Sequence, residues 1–187
     1  MKIVPSSLPE ILVIEPSVFQ DERGFFMETY QQRRYAGAGI ESIFVQDNLS
    51  RSVRGTLRGL HYQVKHAQAK LIQVIEGAIL DVALDIRRGS PYFGQWTSAH
   101  LSDENRRQLF LPEGFAHGFC VLSESAQVVY KCTDFYAAED EGGVLWSDPN
   151  LAIAWPISEP LLSEKDSQLP CLADIPPERL PVYEETR

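Results

Sequence analysis

Three side chains in strand-like surroundings have the types needed to move a proton next to a carbonyl. His61 sits in Leu60-His61-Tyr62, the composition of a half-buried strand, where a polar group must be satisfied or used. An imidazole with an unperturbed pKa of about 6.5 accepts a proton near neutrality. Lys70 follows nine positions later, and its ammonium would stabilise an oxyanion as it develops. Tyr130 lies mid-strand before Lys131, with a phenol able to return a proton. Base, oxyanion partner and acid together are the set needed to remove and return a proton next to a carbonyl. Arg23 and Arg58 carry the planar fork that suits phosphate oxygens. Plainer readings stand beside these. By spacing alone, His61 and Tyr130 read as core residues with bonded polar atoms, and His117, between Phe115 and Phe119, as structural or ligand-orienting. Asp81 and Asp85 read as a solvated strand face, and Arg33-Arg34, Arg87-Arg88 and Arg106-Arg107 as surface pairs.

The elements that must position these groups are mostly strands. Ile11–Glu15, Phe25–Tyr30, Phe44–Leu49, Leu57–Gln63, Lys70–Ile75, Ala78–Ile86, Gln108–Leu111, Phe115–Val121 and Ala126–Tyr136 read as extended. In Ala78–Ile86 the alternation puts Ala78, Leu80, Val82, Leu84 and Ile86 on one face and Asp81 and Asp85 on the other. Gln20–Gly24 and Glu76-Gly77 read as turns, and Glu139–Gly143 as an acidic loop. Short helices are expected at Gln31–Ala36, ended by Gly37 and Gly39, and near Ser163–Ser167. Many short strands with little helix predict a β-sandwich or barrel. One domain is expected over 1–187, with a core of about 10–157 and a proline-rich C-terminal appendage at 158–187.

The formal net charge of −9 and pI near 4.9 argue against a nucleic-acid partner, while leaving room for an anionic small ligand at a local cluster of cations. Cys120, Cys132 and Cys171 have no motif spacing; the first two sit in apolar runs and read as core thiols. No run is apolar enough for a membrane span, and Pro5, Ser6, Ser7 and Pro9 break any leader-like stretch, so a cytoplasmic protein is expected.

Two short patterns narrow the architecture. Gly55 with five residues before His61 resembles the start of the first cupin motif, and Pro112-Glu-Gly-Phe-Ala-His117 fits the Pro-x-Gly-x-x-His core of the second. The expected fold is therefore an all-β, cupin-type jelly roll with short helices and an irregular C-terminal tail. Metal-binding cupins use His-x-His, a Glu and a later His. Here Gln63 replaces the second His, and the cationic Lys70 stands where the Glu belongs, so no metal site is expected. Because Arg58 and His61 fall on opposite faces of an ideal strand, a bulge or a bend at Gly59 must intervene if both reach one site.

A wider set of segments resembles the dTDP-4-dehydrorhamnose 3,5-epimerase family. It comprises Asp21-Glu-Arg-Gly-Phe-Phe26, Gln46-Asp-Asn48, Leu57-Arg-Gly-Leu-His-Tyr-Gln63, Ala67-Gln-Ala-Lys-Leu71, Pro91-Tyr-Phe-Gly-Gln-Trp96, Pro112 to Phe119, Tyr130-Lys-Cys-Thr-Asp-Phe-Tyr136 and Leu162-Ser-Glu-Lys-Asp166. The resemblance implies a cofactor-free, metal-free homodimer that converts dTDP-4-dehydro-6-deoxy-D-glucose to dTDP-4-dehydro-β-L-rhamnose. It also implies His61 as proton acceptor, Tyr130 as donor, Asp166 as the group orienting His61, and Lys70 as the enolate stabiliser. Arg23, Glu28, Gln46, Asp47, Asn48, Arg58, His117, Glu141 and Lys165 would bind the nucleotide sugar. The competing readings are a single-centre sister epimerase, a non-catalytic nucleotide-sugar-binding cupin and a metal-dependent cupin enzyme.

Overall fold

The fold was derived from a computed structural model, which describes residues 1–183. In chain order the strands are β1 (Lys2–Pro5), β2 (Leu12–Glu15), β3 (Val18–Asp21), β4 (Gly24–Met27), β5 (Gln46–Val53), β6 (Leu57–Gln63), β7 (Lys70–Glu76), β8 (Ala78–Asp85), β9 (Trp96–Ser102), β10 (Gln108–Leu111), β11 (Phe115–Val121), β12 (Ser125–Cys132) and β13 (Glu141–Gly143). Two short helices, α1 (Gln32–Ala36) and α2 (Glu164–Ser167), complete the regular structure together with two 3-10 turns near the C-terminus. The expectation of an all-β jelly roll is met. One sheet has the order β1-β2-β10-β7-β12-β5 and the other β13-β6-β11-β8-β9, all antiparallel, with β3 and β4 forming a separate ribbon.

Alternation decides what fills the space between the sheets. Ile72 and Val74 of β7, Val128 of β12, Ile79 and Ala83 of β8 and Phe115, Phe119 and Val121 of β11 meet in one buried cluster. The outer face of the five-stranded sheet is also covered. Leu60, Tyr62, Val82, Leu84 and Ile86 pack there under Leu172, Ile175 and Leu180 of the C-terminal chain. A third cluster, with Tyr35, Ile40, Leu71 and Phe110, sits where α1 closes on the six-stranded sheet. Cys120 and Cys132 are buried, as expected. Among the described residues, no helix is long and apolar enough to cross a membrane.

Several local expectations are corrected. Asp81 and Asp85 are fully buried rather than solvated. The apolar face of β8 is the one turned outward, under the C-terminal chain, so its aspartates point between the sheets. Arg87 is not a surface residue: its guanidinium is held by Asp85 and Glu10 and stacks on Phe115. These carboxylates raise its pKa further, although burial works in the opposite direction. The acidic loop at 139–143 contains β13, which extends the sheet beside β6. The strands expected at Phe25–Tyr30 and Ala126–Tyr136 stop at Met27 and Cys132, and the turn at Gln20–Gly24 is the tip of the β3–β4 ribbon.

Candidate active site

Cross-strand registers place the polar groups inside the jelly roll in layers. Gln46, Cys132 and Lys70 lie opposite one another across β5, β12 and β7, and Asn48, Tyr130 and Ile72 form the next layer. On the facing sheet His61 of β6 pairs with His117 of β11. Between His117 and Phe119 the partner strand runs from His61 to Arg58, three residues against two. This bulge, at the positive-φ Gly59, brings Arg58 round to the side of His61, as the parity argument required. Gly59 also leaves no room for a side chain: a Cβ there would lie 2.5 Å from the His117 carbonyl oxygen.

These strands enclose a cavity of about 640 Å³ lined by Arg58, His61, Lys70, His117, Tyr130, Lys165 and Asp166, among others. A second hollow of about 250 Å³ shares His61, Lys70 and Tyr130 and adds Gln46, Asn48, Tyr136 and Glu141. The outcome for the thirteen site residues expected from sequence divides cleanly. Ten line these two connected spaces. Asp47 faces the other way, paired with Lys131 at 2.9 Å. Arg23 and Glu28 lie on and just after the ribbon, against Asp21 and Arg34 respectively, away from the cavity of their own chain.

His61 Nε2 lies 2.7 Å from Asp166 Oδ1. Burial alone would raise the Asp166 pKa, but the hydrogen bond and charge of His61 and the Gly59 amide hold it below the ordinary carboxylate range. An ionised carboxylate only accepts, so Nε2 carries the proton and Nδ1 of the neutral ring keeps its lone pair. Asp166 reaches His61 across 105 residues because backbone bonds between Gly55–Leu57 and Leu161 pin the start of the tail, and Ser163 then caps α2.

Lys70 and Tyr130 share the inward face of the six-stranded sheet with Ile72, Val74 and Val128. Burial pushes the Lys70 ammonium down and the Tyr130 phenol up in pKa. Glu141 accepts from Tyr136 and pairs with Lys165 at 2.6 Å, which together hold it low in pKa despite its partial burial. Sequence reasoning missed Asp81. Its carboxylate, fully buried behind His117, accepts from His117 Nε2 at 2.9 and 3.0 Å, making a second histidine–aspartate pair. The signal was present as two aspartates in the alternation of β8, but it was assigned to the wrong side of the sheet. Among the described residues, no three His, Cys, Asp or Glu side chains converge as a metal-ligand set.

The arrangement suits proton transfer beside a group that becomes an oxyanion. The family whose description is dTDP-4-dehydrorhamnose 3,5-epimerase matches residues 5–174. The chain belongs to this family. A relative of that name from Pseudomonas aeruginosa is 54% identical, over 93% of this chain and 97% of its own length. Another, from Shigella flexneri, is 53% identical over 89% and 93%. The crystal structure of a dTDP-6-deoxy-D-glucose-3,5-epimerase from Legionella pneumophila in complex with dTDP-4-keto-L-rhamnose superposes with a TM-score of 0.96 at 50% identity, covering 98% of this chain and 99% of that one. The present chain is accordingly an isomerase, of the epimerase kind, on a cupin-like fold.

Proposed function

We propose that the protein inverts C3 and C5 of dTDP-4-dehydro-6-deoxy-D-glucose to give dTDP-4-dehydro-β-L-rhamnose. The observation that carries this reading is the set facing one cavity: a histidine backed by a carboxylate, a desolvated lysine and a buried phenol. The C4 ketone acidifies the protons on C3 and C5 because each carbanion delocalises onto oxygen. Nδ1 of His61 takes the proton, the C–H pair becomes the enolate double bond, and the carbonyl pair moves onto O4. Asp166 stabilises the imidazolium so formed. Negative charge on O4 restores to Lys70 the protonated preference that burial weakens. Tyr130, kept protonated by its burial, returns a proton to the opposite ring face, and the sequence repeats at the second carbon. A positioned acid or base contributes roughly 10²–10⁴-fold and the oxyanion partner roughly 10²–10³-fold.

In this reading Gln46, Asn48, Arg58, His117, Glu141 and Lys165 hold the nucleotide sugar. The protein works as a cytoplasmic homodimer of single-domain chains without a cofactor or metal. Support for self-association comes from apolar surface: Phe19, Phe25 and Phe26 on the ribbon and Val45, Leu49 and Val53 along the β5 edge are exposed. A second copy seated there would supply Arg23 and Glu28 from its own ribbon. Light scattering should then give twice the 21.1 kDa chain mass. The deciding experiment incubates the protein with the dTDP-4-keto sugar in deuterated buffer and locates the label by NMR. Label at C3 and C5, with product accepted by a coupled reductase, is expected. Label at one carbon would make it a single-centre epimerase, and dTDP binding without exchange a non-catalytic binder.

A further inference from the structure

Gln63 closes β6 at the position where metal-binding cupins carry their second histidine. It borders the smaller hollow but is only 6% exposed, and its amide is engaged by backbone. Nε2 donates to the carbonyl oxygens of His66 at 2.6 Å and Phe135 at 3.2 Å, and Oε1 accepts from the Ala137 amide at 2.9 Å. Both of its donors are thereby used, so none is left for a ligand. The partners lie on two loops, 64–69 between β6 and β7 and 133–140 between β12 and β13. The buried Asp140 ties the same loops together by accepting from the Lys65 and His66 amides at 2.7 and 2.8 Å.

Between the two residues that Gln63 holds on the second loop stands Tyr136, whose amide donates to Gln46 Oε1 at 3.0 Å. An N–H can face only an acceptor, so this bond decides which way the Gln46 amide lies. Gln46 Nε2 then donates to Asn48 Oδ1 at 3.1 Å, and Asn48 Nδ2 turns to Cys132 Sγ at 3.6 Å. Among the described residues each of these two amides keeps one N–H without a protein partner, and both residues line the hollow. We propose that Gln63 is a positioning residue for ligand binding: by holding the 135–137 backbone it sets the Tyr136 amide, and through it the Gln46–Asn48 pair, in the orientation that receives the nucleotide sugar. Amides already fixed in that orientation need not be ordered when the ligand arrives. The proposal rests on the reading of Gln46 and Asn48 as nucleotide-sugar contacts.

Gln63→Glu keeps an acceptor for Ala137 but loses both donors, and Gln63→Met loses every one of these bonds. The probe is dTDP-glucose, whose sugar has no C4 ketone and so binds without turning over, and calorimetric titration gives its dissociation constant. Losing the fixed geometry of one or two neutral hydrogen bonds should weaken its binding roughly 5- to 30-fold in both variants. With the 4-keto sugar, KM should rise by a similar factor while kcat holds within about threefold, because no bond of Gln63 reaches His61, Lys70, Tyr130 or Asp166. Both variants should also melt lower, as a purely structural role would require, so the double variant separates the two roles. If Gln63 acts through Gln46, adding Gln63→Met to Gln46→Ala should weaken dTDP-glucose by less than about twofold further. Gln63→Glu closes the same cycle if Gln63→Met does not fold. Losses that multiply in the double variant, unchanged affinity in both single variants, or a loss confined to kcat would overturn the assignment. Failure of the unsubstituted protein to bind dTDP-glucose, or undiminished binding by Gln46→Ala, would instead refute the underlying reading of the site, and the Gln63 proposal with it.

Discussion

Asp166→Asn changes one atom of the pair that prepares His61, which makes it a sharp perturbation. The carboxylate accepts from His61 Nε2 at 2.7 Å and from the Gly59 amide at 3.3 Å, so an amide of the same shape fits the space. What disappears is the charge that meets the imidazolium as His61 takes its proton. Hydrogen bonds to charged groups contribute about 1.5–3 kcal/mol against about 1 for neutral ones. The transition state therefore loses about 0.5–2 kcal/mol relative to bound substrate, roughly 2- to 30-fold in kcat. A larger effect follows if the amide turns its NH₂ toward the ring. The proton then moves to Nδ1 and removes the lone pair that acts as base, a tautomer error that costs about 10⁴-fold in hydrolase triads. The expected range in kcat is thus about 2- to 10⁴-fold, with dTDP affinity little changed, because Asp166 acts through His61. Deuterium incorporation at C3 and C5, followed by NMR, reads the loss at both carbons, and one shared base requires the two to slow together. A kcat equal to the parent's, a loss appearing only in KM, or slowing at one carbon alone would refute the argument.

Tyr130→Phe removes the proposed proton donor while leaving His61 and Lys70 in place, so solvent deuterium should still enter while inverted product falls by about 10²-fold or more; normal product formation would exclude Tyr130 as the acid. Gly59→Ala places a Cβ 2.5 Å from the His117 carbonyl at a φ of 107°. It should lower the denaturation midpoint and separate Arg58 from His61, and an unchanged midpoint with unchanged KM would count against the bulge as the positioning device. Glu141 is held below its ordinary pKa in the folded chain, chiefly by Lys165 and Tyr136 acting against its burial. Its stabilising contribution is therefore complete above the ordinary carboxylate range and is lost as pH falls through the lowered native value. Melting curves of Glu141→Gln and the parent should differ near neutrality and converge in acid, and a gap that widens in acid would reverse the sign.

Several strands were legible because the two faces of the chain differ in a local, period-two pattern. β7, β8, β11 and much of β12 announce themselves this way, and the glycine and histidine spacing of β6 and β11 pointed to the jelly roll. β13 was missed because Glu141-Gly142-Gly143 is too short and too glycine-rich to show any alternation. The β3–β4 ribbon was only half seen, since its phenylalanines are exposed and so carry no burial pattern.

Sequence by itself determined the family and the strand periodicity, and it named the candidates for the proton-transfer set, because these depend on residue type and on spacing along the chain. It also required a bulge near Gly59, which parity alone demands. Tertiary structure decided the rest. Alternation says that the two faces of β8 differ but not which faces inward. Here the cavity is polar and the C-terminal chain covers the apolar face, so the usual assignment is inverted and Asp81 comes to rest under His117. The pairing of His61 with Asp166 lies 105 residues apart, beyond any periodicity, and depends on where Gly55–Leu57 pins the tail.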